Sequence, residues 1–385
     1  MNHLFTKEQK LTLLLSKYTI NESDISEVFD LINDQDQINW NAIFNYSVLH
    51  KTVNIVYKNM VANNILKYNS YFRDLFRYIC IGTSENNKNM YKHILPLLDE
   101  LKQNNIICVP LKGIILNQII YKDTKLRQSG DFDILVQEKD LSKLTDFLIS
   151  RGFVQSLDTK NLVPASKKMK IFYRMSTHEV VPFLKDTGDD FCPVLNLDVQ
   201  FDIFSRAKHT RVYFPIEKLF DSLREINVNG HQTIYSLAPE YNLLQLSSHV
   251  FRDMTRIQDI RSGRDLRLIY FVDIYEFISH SITEIDWEKL ASECLEYHCN
   301  HMLYYVLYHV ELLFGPIVPR TFMEKIAVED LQFVNRYAFE EIESFLWNMP
   351  FHQRLFDLSR KNELNSIDSS KLTESNRYSE VLSTY

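Results

Sequence analysis

The chain has 385 residues, 45% of them hydrophobic and 13% aromatic, with only 8 glycines and 10 prolines. That length exceeds what one average core supports, so two or three helix-rich subdomains with short connections are expected. The net charge of −7 gives the molecule no overall attraction for nucleic acid and argues against such a partner. The opening MNHLFTKEQKLTLLLSKYT lacks a secretory signal's order and cleavage site, and no apolar run approaches the roughly 20 residues that span a bilayer. Five scattered cysteines (Cys80, Cys108, Cys192, Cys294, Cys299) suit reduced thiols, so a cytoplasmic protein without membrane contact is expected.

Residues 1–103 read as a helical subdomain. The segment from Ile38 spaces Trp40, Ile43, Phe44, Val48 and Leu49 as a core-facing helical stripe. A further amphipathic helix is expected from Ser84 through Met90, Ile94, Leu98 and Leu101, with Pro96 as a kink. The period changes in residues 104–235. IICVPL (Ile106 to Leu111) is a buried-strand run, Ile114 to Tyr121 a short helix, and DFDILV (Asp131 to Val136) an alternating strand. Asp140 is placed to cap a helix closed by Gly152, and VLNLDVQFDIF (Val194 to Phe204) is a third strand. This succession describes a small mixed unit and gives an α+β fold class. Residues 236–358 return to helical spacing, and 359–385, rich in Ser, Asn, Lys and Glu, are expected to form a polar, mobile tail.

The chemistry lies in the strands. Alternation puts Asp131 and Asp133 on one strand face, ~7 Å apart, and Asp198, Gln200 and Asp202 on one face of the later strand. Folding does not need acids so arranged. They repel one another, and a hard divalent cation with oxygen ligands, Mg²⁺ or Mn²⁺, answers that repulsion. An Asp-x-Asp at a solvated strand end is the ordinary alternative, but the surrounding residues count against it. Lys112 and Gly113 open a helix where free amides favour phosphate, and Arg127, Ser129 and Gly130 run directly into the acids.

The segment VPLKGIILNQIIYKDTKLRQSGDFDILV, residues 109–136, resembles the uncharacterised nucleotidyltransferases of the polymerase-β-like superfamily. The likeness rests on the Leu-Lys-Gly turn, the short helix ending in tyrosine, and the arginine before Gly-Asp-Phe-Asp-Ile-Leu-Val. It extends back to Ile38 and, more weakly, forward through LNLDVQF and the helices near His249 and Asp273. The resemblance implies a polymerase-β-like core. In it Lys112 and Gly113 would bind a triphosphate, Asp131 and Asp133 would hold metal, and Asp198, rather than Asp202, would complete the acidic set and act as base. Gln200 stands where the family often has histidine and is assigned no role. The implied reaction moves a nucleoside monophosphate, AMP from ATP by superfamily habit, onto a hydroxyl or similar group of a small molecule or peptide, releasing pyrophosphate. A nucleotide-binding regulator or antitoxin-like module with little turnover is a rival reading. Phosphoryl transfer on the same fold is another, and nucleotide addition to RNA is disfavoured by charge.

Other signals stay open. Arg252, Arg256, Arg261, Arg264 and Arg267 alternate with Asp253, Asp259 and Asp265, which fits either a solvated face or a clamp over phosphate, with Ser262-Gly263 as a mobile loop. His178 could approach an acceptor, and His249 is read as a core histidine. Cys294, His298 and His301 share a helical spacing, but no fourth zinc ligand is evident and helix packing explains them better.

Overall fold

A computed structural model describes residues 4–33, 37–66, 69–228 and 232–383. The N-terminal region is helical, as the spacing predicts: α1 (Lys7–Leu15), α2 (Glu22–Asn33), α3 (Trp40–Leu49), α4 (Val53–Ala62) and α5 (Ser70–Gln103). Thr6 caps α1 by accepting from the Gln9 amide. In α3, Ile43 is fully buried, whereas Val48, expected to face inward, is exposed. Helix α5 begins fourteen residues earlier than its apolar spacing predicts and continues through Pro96.

The central region forms a five-stranded mixed sheet in the order β1-β2-β5-β4-β3. Its strands are β1 (Val109–Pro110), β2 (Phe132–Leu135), β3 (Val154–Gln155), β4 (Phe183–Asp186) and β5 (Val194–Gln200). Strand β1 is shorter than the apolar run around it, and β5 stops at Gln200, so Asp202 lies beyond the sheet. Helix α6 (Lys112–Leu116) passes into a π-helical turn, Asn117–Tyr121. Helix α7 (Leu141–Ser150) starts at Asp140, whose side chain makes no capping bond, and ends before Gly152, which takes the left-handed φ of +83° that glycine adopts without strain. Helices α8 (Lys167–Ser176) and α9 (Ile216–Asp221) and the hairpin of β6 (Arg224–Val228) and β7 (Gln232–Ser236) complete this region.

The remaining chain is again helical, from α10 (Pro239–Thr255) and α11 (Ile257–Ser262) to α12 (Leu268–Ser281), α13 (Trp287–Glu296) and α14 (Asn300–Phe314). One apolar core joins all three regions, from Leu13 and Ile55 through Ile134 and Val199 to Phe271, Leu303 and Leu355. A second core, with Leu11, Ile43 and Phe76, belongs to the N-terminal helices. The borders at 104 and 236 therefore mark changes of local structure and not breaks in packing. Among the described residues no helix is long and apolar enough to cross a membrane.

The segment beyond Ser359 departs from the expected mobile tail. After α15 (Arg320–Ile326) and α16 (Phe351–Phe356) it forms 3₁₀ turns and then α17 (Thr373–Ser383). Its few apolar residues are well placed: Leu364, Leu372 and Val381 are buried, and Tyr378 and Val381 of α17 pack with Met169 and Phe172 of α8. The main anchor is polar. Arg360 donates to both carboxylate oxygens of Asp265, at 2.9 and 2.7 Å, and both side chains are almost fully buried.

Asp265→Ala would strand the Arg360 guanidinium without its partner, which is expected to cost about 3–5 kcal/mol. Denaturant unfolding checks this; a loss below about 0.5 kcal/mol, the level of an ordinary surface change, would refute an anchoring role.

Candidate active site

Strands β2 and β5 run parallel, and their pairing sets Asp133 directly beside Asp198. Asp131 lies one residue before β2 and is exposed. The three acids open into one cavity of about 390 Å³ together with Lys112, Gly113 and Gly130. Its wall also includes Arg127, Glu179 and Asp259, and His249, Arg252 and Arg256 from around the end of α10.

Asp133 is buried and heavily engaged. The Lys112 ammonium donates to its Oδ1 at 2.7 Å, and the Gln200 side-chain amide donates to the same oxygen at 2.8 Å. Burial pushes the Asp133 carboxyl up, helped by the charges of Asp131 and Glu179, while Lys112 draws it down. Burial would likewise lower Lys112, but Asp133 outweighs that and holds the ammonium charged. At this distance the ionised pair is the state the geometry supports. Asp198 has no such partner, and its Oδ1 is sealed from solvent without a hydrogen bond. Burial, with Asp131, Asp133 and Glu179 behind it, pushes its carboxyl well above the usual carboxylate range.

The turn after β1 is built by close packing. Lys112 takes a left-handed φ of +52°, a conformation costing a non-glycine residue of the order of 1 kcal/mol. Gly113 is needed for space: a Cβ there would lie 2.3 Å from Arg127 Nη1 and 2.7 Å from Ser129 Oγ. Arg127 is held by Asp273 of α12, with Nε and Nη2 at 2.9 and 2.8 Å from one carboxylate oxygen, while the Tyr121 hydroxyl donates to the other. Burial acts to lower the Arg127 guanidinium, but Asp273 more than offsets it and holds the guanidinium above its ordinary value. Ser129 is buried behind Gly113, with its Oγ unpartnered, and does not line the cavity. Among the residues expected to contact phosphate, Lys112, Gly113, Arg127 and Gly130 reach the cavity wall and Ser129 does not.

Two breaks in the chain bring the arginines in. Helix α10 ends at Arg256 and α11 at Gly263, which adopts the left-handed φ of +69° that closes a helix. Ser262-Gly263 is therefore a helix end and not a free loop. Arg252, Arg256, Arg264 and Arg267 all line the cavity, whereas Arg261 is exposed and does not. Arg252 forms the hub, bound to Asp253 at 3.0 Å. Its guanidinium also approaches His178 Nε2 at 2.5 Å and His249 Nδ1 at 3.0 Å. Burial, with Arg252 close by, pushes both imidazoles well below their ordinary value, so both are neutral acceptors for the guanidinium. Lys51 and Gln200 carry no sequence signal of a role; Lys51 is revealed by its place on the cavity wall and Gln200 by its bond to Asp133.

Among the described residues no three carboxylates, imidazoles or thiols converge closely enough to hold a metal ion as they stand. The donors nonetheless suit a hard cation: all are carboxylate oxygens, Asp131 is exposed, and Asp198 carries the unpartnered buried Oδ1. Asp133 would share its oxygens between the cation and Lys112. Asp202 takes no part. It pairs with Arg206 at 3.5 Å beside a separate cavity.

The family described as uncharacterised nucleotidyltransferases matches residues 36–315. The chain belongs to that family. No curated protein and no solved structure matches the chain. Membership fits the α+β architecture with its small mixed sheet, and it names nucleotidyl transfer as the family's activity. Every acid discussed here falls within the matched span.

Two outcomes test this geometry. Because the folded state holds the Asp198 proton more tightly than the unfolded chain, ionising Asp198 lowers stability above the ordinary carboxylate range, and the loss fades as pH falls through it. Asp198→Asn should raise the metal-free melting temperature at neutral pH by on the order of 2 °C. That excess should be constant below about pH 3, where an ordinary carboxyl is already protonated, and grow as pH rises. An excess that does not change with pH would disprove the repulsion. Gly113→Ala should cost about 1–3 kcal/mol in denaturant unfolding by driving Arg127 aside. Gly82→Ala, in α5 with open space around its Cβ, should be neutral or stabilising.

Proposed function

We propose that this family member is a metal-dependent nucleotidyltransferase with a polymerase-β-like core. It would move a nucleoside monophosphate, AMP from ATP, onto a hydroxyl or similar group of a small molecule or peptide, with pyrophosphate leaving. The observation that carries this reading is the register of Asp133 beside Asp198 on adjacent parallel strands, with Asp131 at the open end and Lys112 against them.

Asp131, Asp133 and Asp198 would hold Mg²⁺ or Mn²⁺, which when bound supplies charge stabilisation on the reacting phosphate oxygens. Asp198 is suited to take the proton of the attacking hydroxyl, since its environment already favours the protonated form. Lys112 bridges the acids and the phosphates: contact with a triphosphate lets the ammonium exchange Asp133 for phosphate. Gly113 and Gly130 let backbone approach the nucleotide. Ser129 supports the turn from behind, while Arg127, held by Asp273, braces Gly113 and faces the phosphates from the cavity wall. Arg252, with neutral His178 and His249 on its guanidinium, forms the far wall facing the acceptor. A cytoplasmic setting belongs to the same proposal and rests on five unpaired cysteines.

One observation favours a second reading, a nucleotide-binding module with little turnover: Lys112 already neutralises Asp133 without any ligand. Incubation with α- and γ-labelled ATP, Mg²⁺ and candidate acceptors separates the readings. Label transferred from the α position supports the proposal. Transfer from the γ position makes the protein a phosphotransferase, and binding without transfer makes it a module. Asp131→Asn with Asp133→Asn should abolish transfer while leaving the fold intact. Asp198→Asn should lower turnover by roughly 10²-fold with nucleotide still bound, the scale for losing a general base, and Asp202→Asn should change little. Equal losses at Asp198 and Asp202 would refute the assigned acidic set.

A further inference from the structure

Most cations around the cavity are already matched. Lys112 pairs with Asp133, Arg127 with Asp273, Arg252 with Asp253 and Arg256 with Asp259. Lys51 and Arg267 are different: both line the cavity, and among the described residues neither side chain has a carboxylate within ion-pair distance. They come from opposite ends of the matched span, and His50 brings them together. Its carbonyl accepts from the Ile269 amide at 3.3 Å and its Nδ1 from the Leu268 amide at 3.1 Å, so it caps the first turn of α12. Lys51 follows His50 directly, and Arg267 immediately precedes the capped amides. Lys51 moreover holds a left-handed φ of +56°. That φ belongs to the helix end itself, where the Thr52 amide donates to the Ser47 carbonyl at 2.9 Å and the Lys51 amide to Val48 at 3.1 Å, so the C-cap of α3 fixes where Lys51 stands. Here the fold sets two like charges near each other and, among the described residues, gives neither an ion-paired carboxylate; Asp131 acts on Lys51 only from a distance.

We propose that Lys51 and Arg267 form an anion-binding site for a multiply charged phosphate group, either the polyphosphate tail of the nucleotide or a phosphate carried by the acceptor. This assignment rests on the nucleotidyl-transfer reading for its place in the reaction. A point-charge ammonium beside a forked guanidinium suits a tetrahedral oxyanion with several acceptor oxygens, and Arg264 on the same wall adds a third positive charge. His50 is a positioning residue: it caps Leu268 and Ile269, packs edge-on against Phe356, does not line the cavity, and acts through where it puts Lys51.

The site carries a pH signature. The groups acting on Lys51 are Arg267 and Arg264 from around the start of α12 and Asp131 and Arg127 before β2; adjacent His50 adds no charge, because burial holds it neutral by pushing it down to about 3. Burial first, then Arg267, pushes Lys51 down to about 8, with Asp131 opposing. A bound phosphate raises it again, so binding takes up a proton near that pH and weakens above it.

Calorimetric titration of the full chain with inorganic pyrophosphate, in chelator so that the acids carry no metal, tests the site without requiring turnover. Lys51→Met and Arg267→Met should each weaken binding by about tenfold or more, the scale of one charge-assisted hydrogen bond. Neither should melt lower than wild type without ligand, since each relieves repulsion. Lys51→Arg should keep the affinity but lose its fall between about pH 7 and 9, a change that a merely structural lysine would not produce. A parallel ATP titration identifies the source: weakening of both ligands assigns the nucleotide tail, and weakening of pyrophosphate alone assigns an acceptor phosphate. Unchanged pyrophosphate affinity in both methionine variants overturns the proposal. Because no transfer is measured, that failure is distinct from failure of the transfer reading.

Discussion

Two acidic side chains side by side in the interior are the constraint around which this protein is organised. Parallel pairing of β2 and β5 puts Asp133 next to Asp198. At a strand spacing of ~4.8 Å and an effective dielectric of about 20, two such charges repel by on the order of 3 kcal/mol. The fold answers half of this. Lys112 and Gln200 both donate to one oxygen of Asp133, and Asp198 is left to protonation. Lys112 reaches Asp133 from a left-handed turn that leaves Gly113 pressed against Arg127, and Arg127 is pinned by Asp273. The acid pair thus dictates the lysine, the lysine dictates the turn, and the turn dictates an arginine held by a helix more than a hundred residues later.

This chain of dependence explains why one core runs through regions that look separate in sequence. Arg127 is anchored on α12, the first turn of α12 is capped by His50 at the end of α3, and Arg360 near the C-terminus is anchored on Asp265 just before α12. Three segments far apart in the chain converge on the start and first turns of α12. A site assembled from such distant pieces is rigid only if they share packing, and the continuous apolar core provides it.

Much of this was legible in the residues themselves. The alternation in DFDILV and LNLDVQF reads directly as two strands with acids on a face, and the turn before them as strand, lysine, glycine, helix. What was hidden needed a third dimension. Register is a property of two strands, so Asp198 could be preferred over Asp202 only by resemblance, and the end of β5 at Gln200 has no local stop signal. Gln200 was given no role because its type departs from the family habit, yet its amide makes a bond that a neutral imidazole N–H could also make, to the same oxygen. Lys51 is one lysine between two helices, and no pattern of residue types predicts that a capping histidine will fix its position. In the C-terminal segment a few apolar residues, Leu364, Leu372 and Val381, are too sparse to form a periodic signal, but each is buried. Arg360 resembles any surface arginine until Asp265 is found opposite it.

The cavity's remaining charges show why neither sign can satisfy the other. Among the described residues, Asp131 and Asp198 have no cation within ion-pair distance, and Lys51 and Arg267 no carboxylate. In water these would find each other, but here the acids stand on or beside a rigid sheet and the cations flank the first turn of α12. Attraction between the two ends is therefore left unspent across the cavity, where Asp131 draws Lys51 upward without an ion pair. A small neutral ligand would leave both ends unsatisfied. A simple anion would neutralise the basic end and leave Asp198 as it was. The ligand proposed above, a divalent cation with several phosphate charges, would neutralise both ends at once.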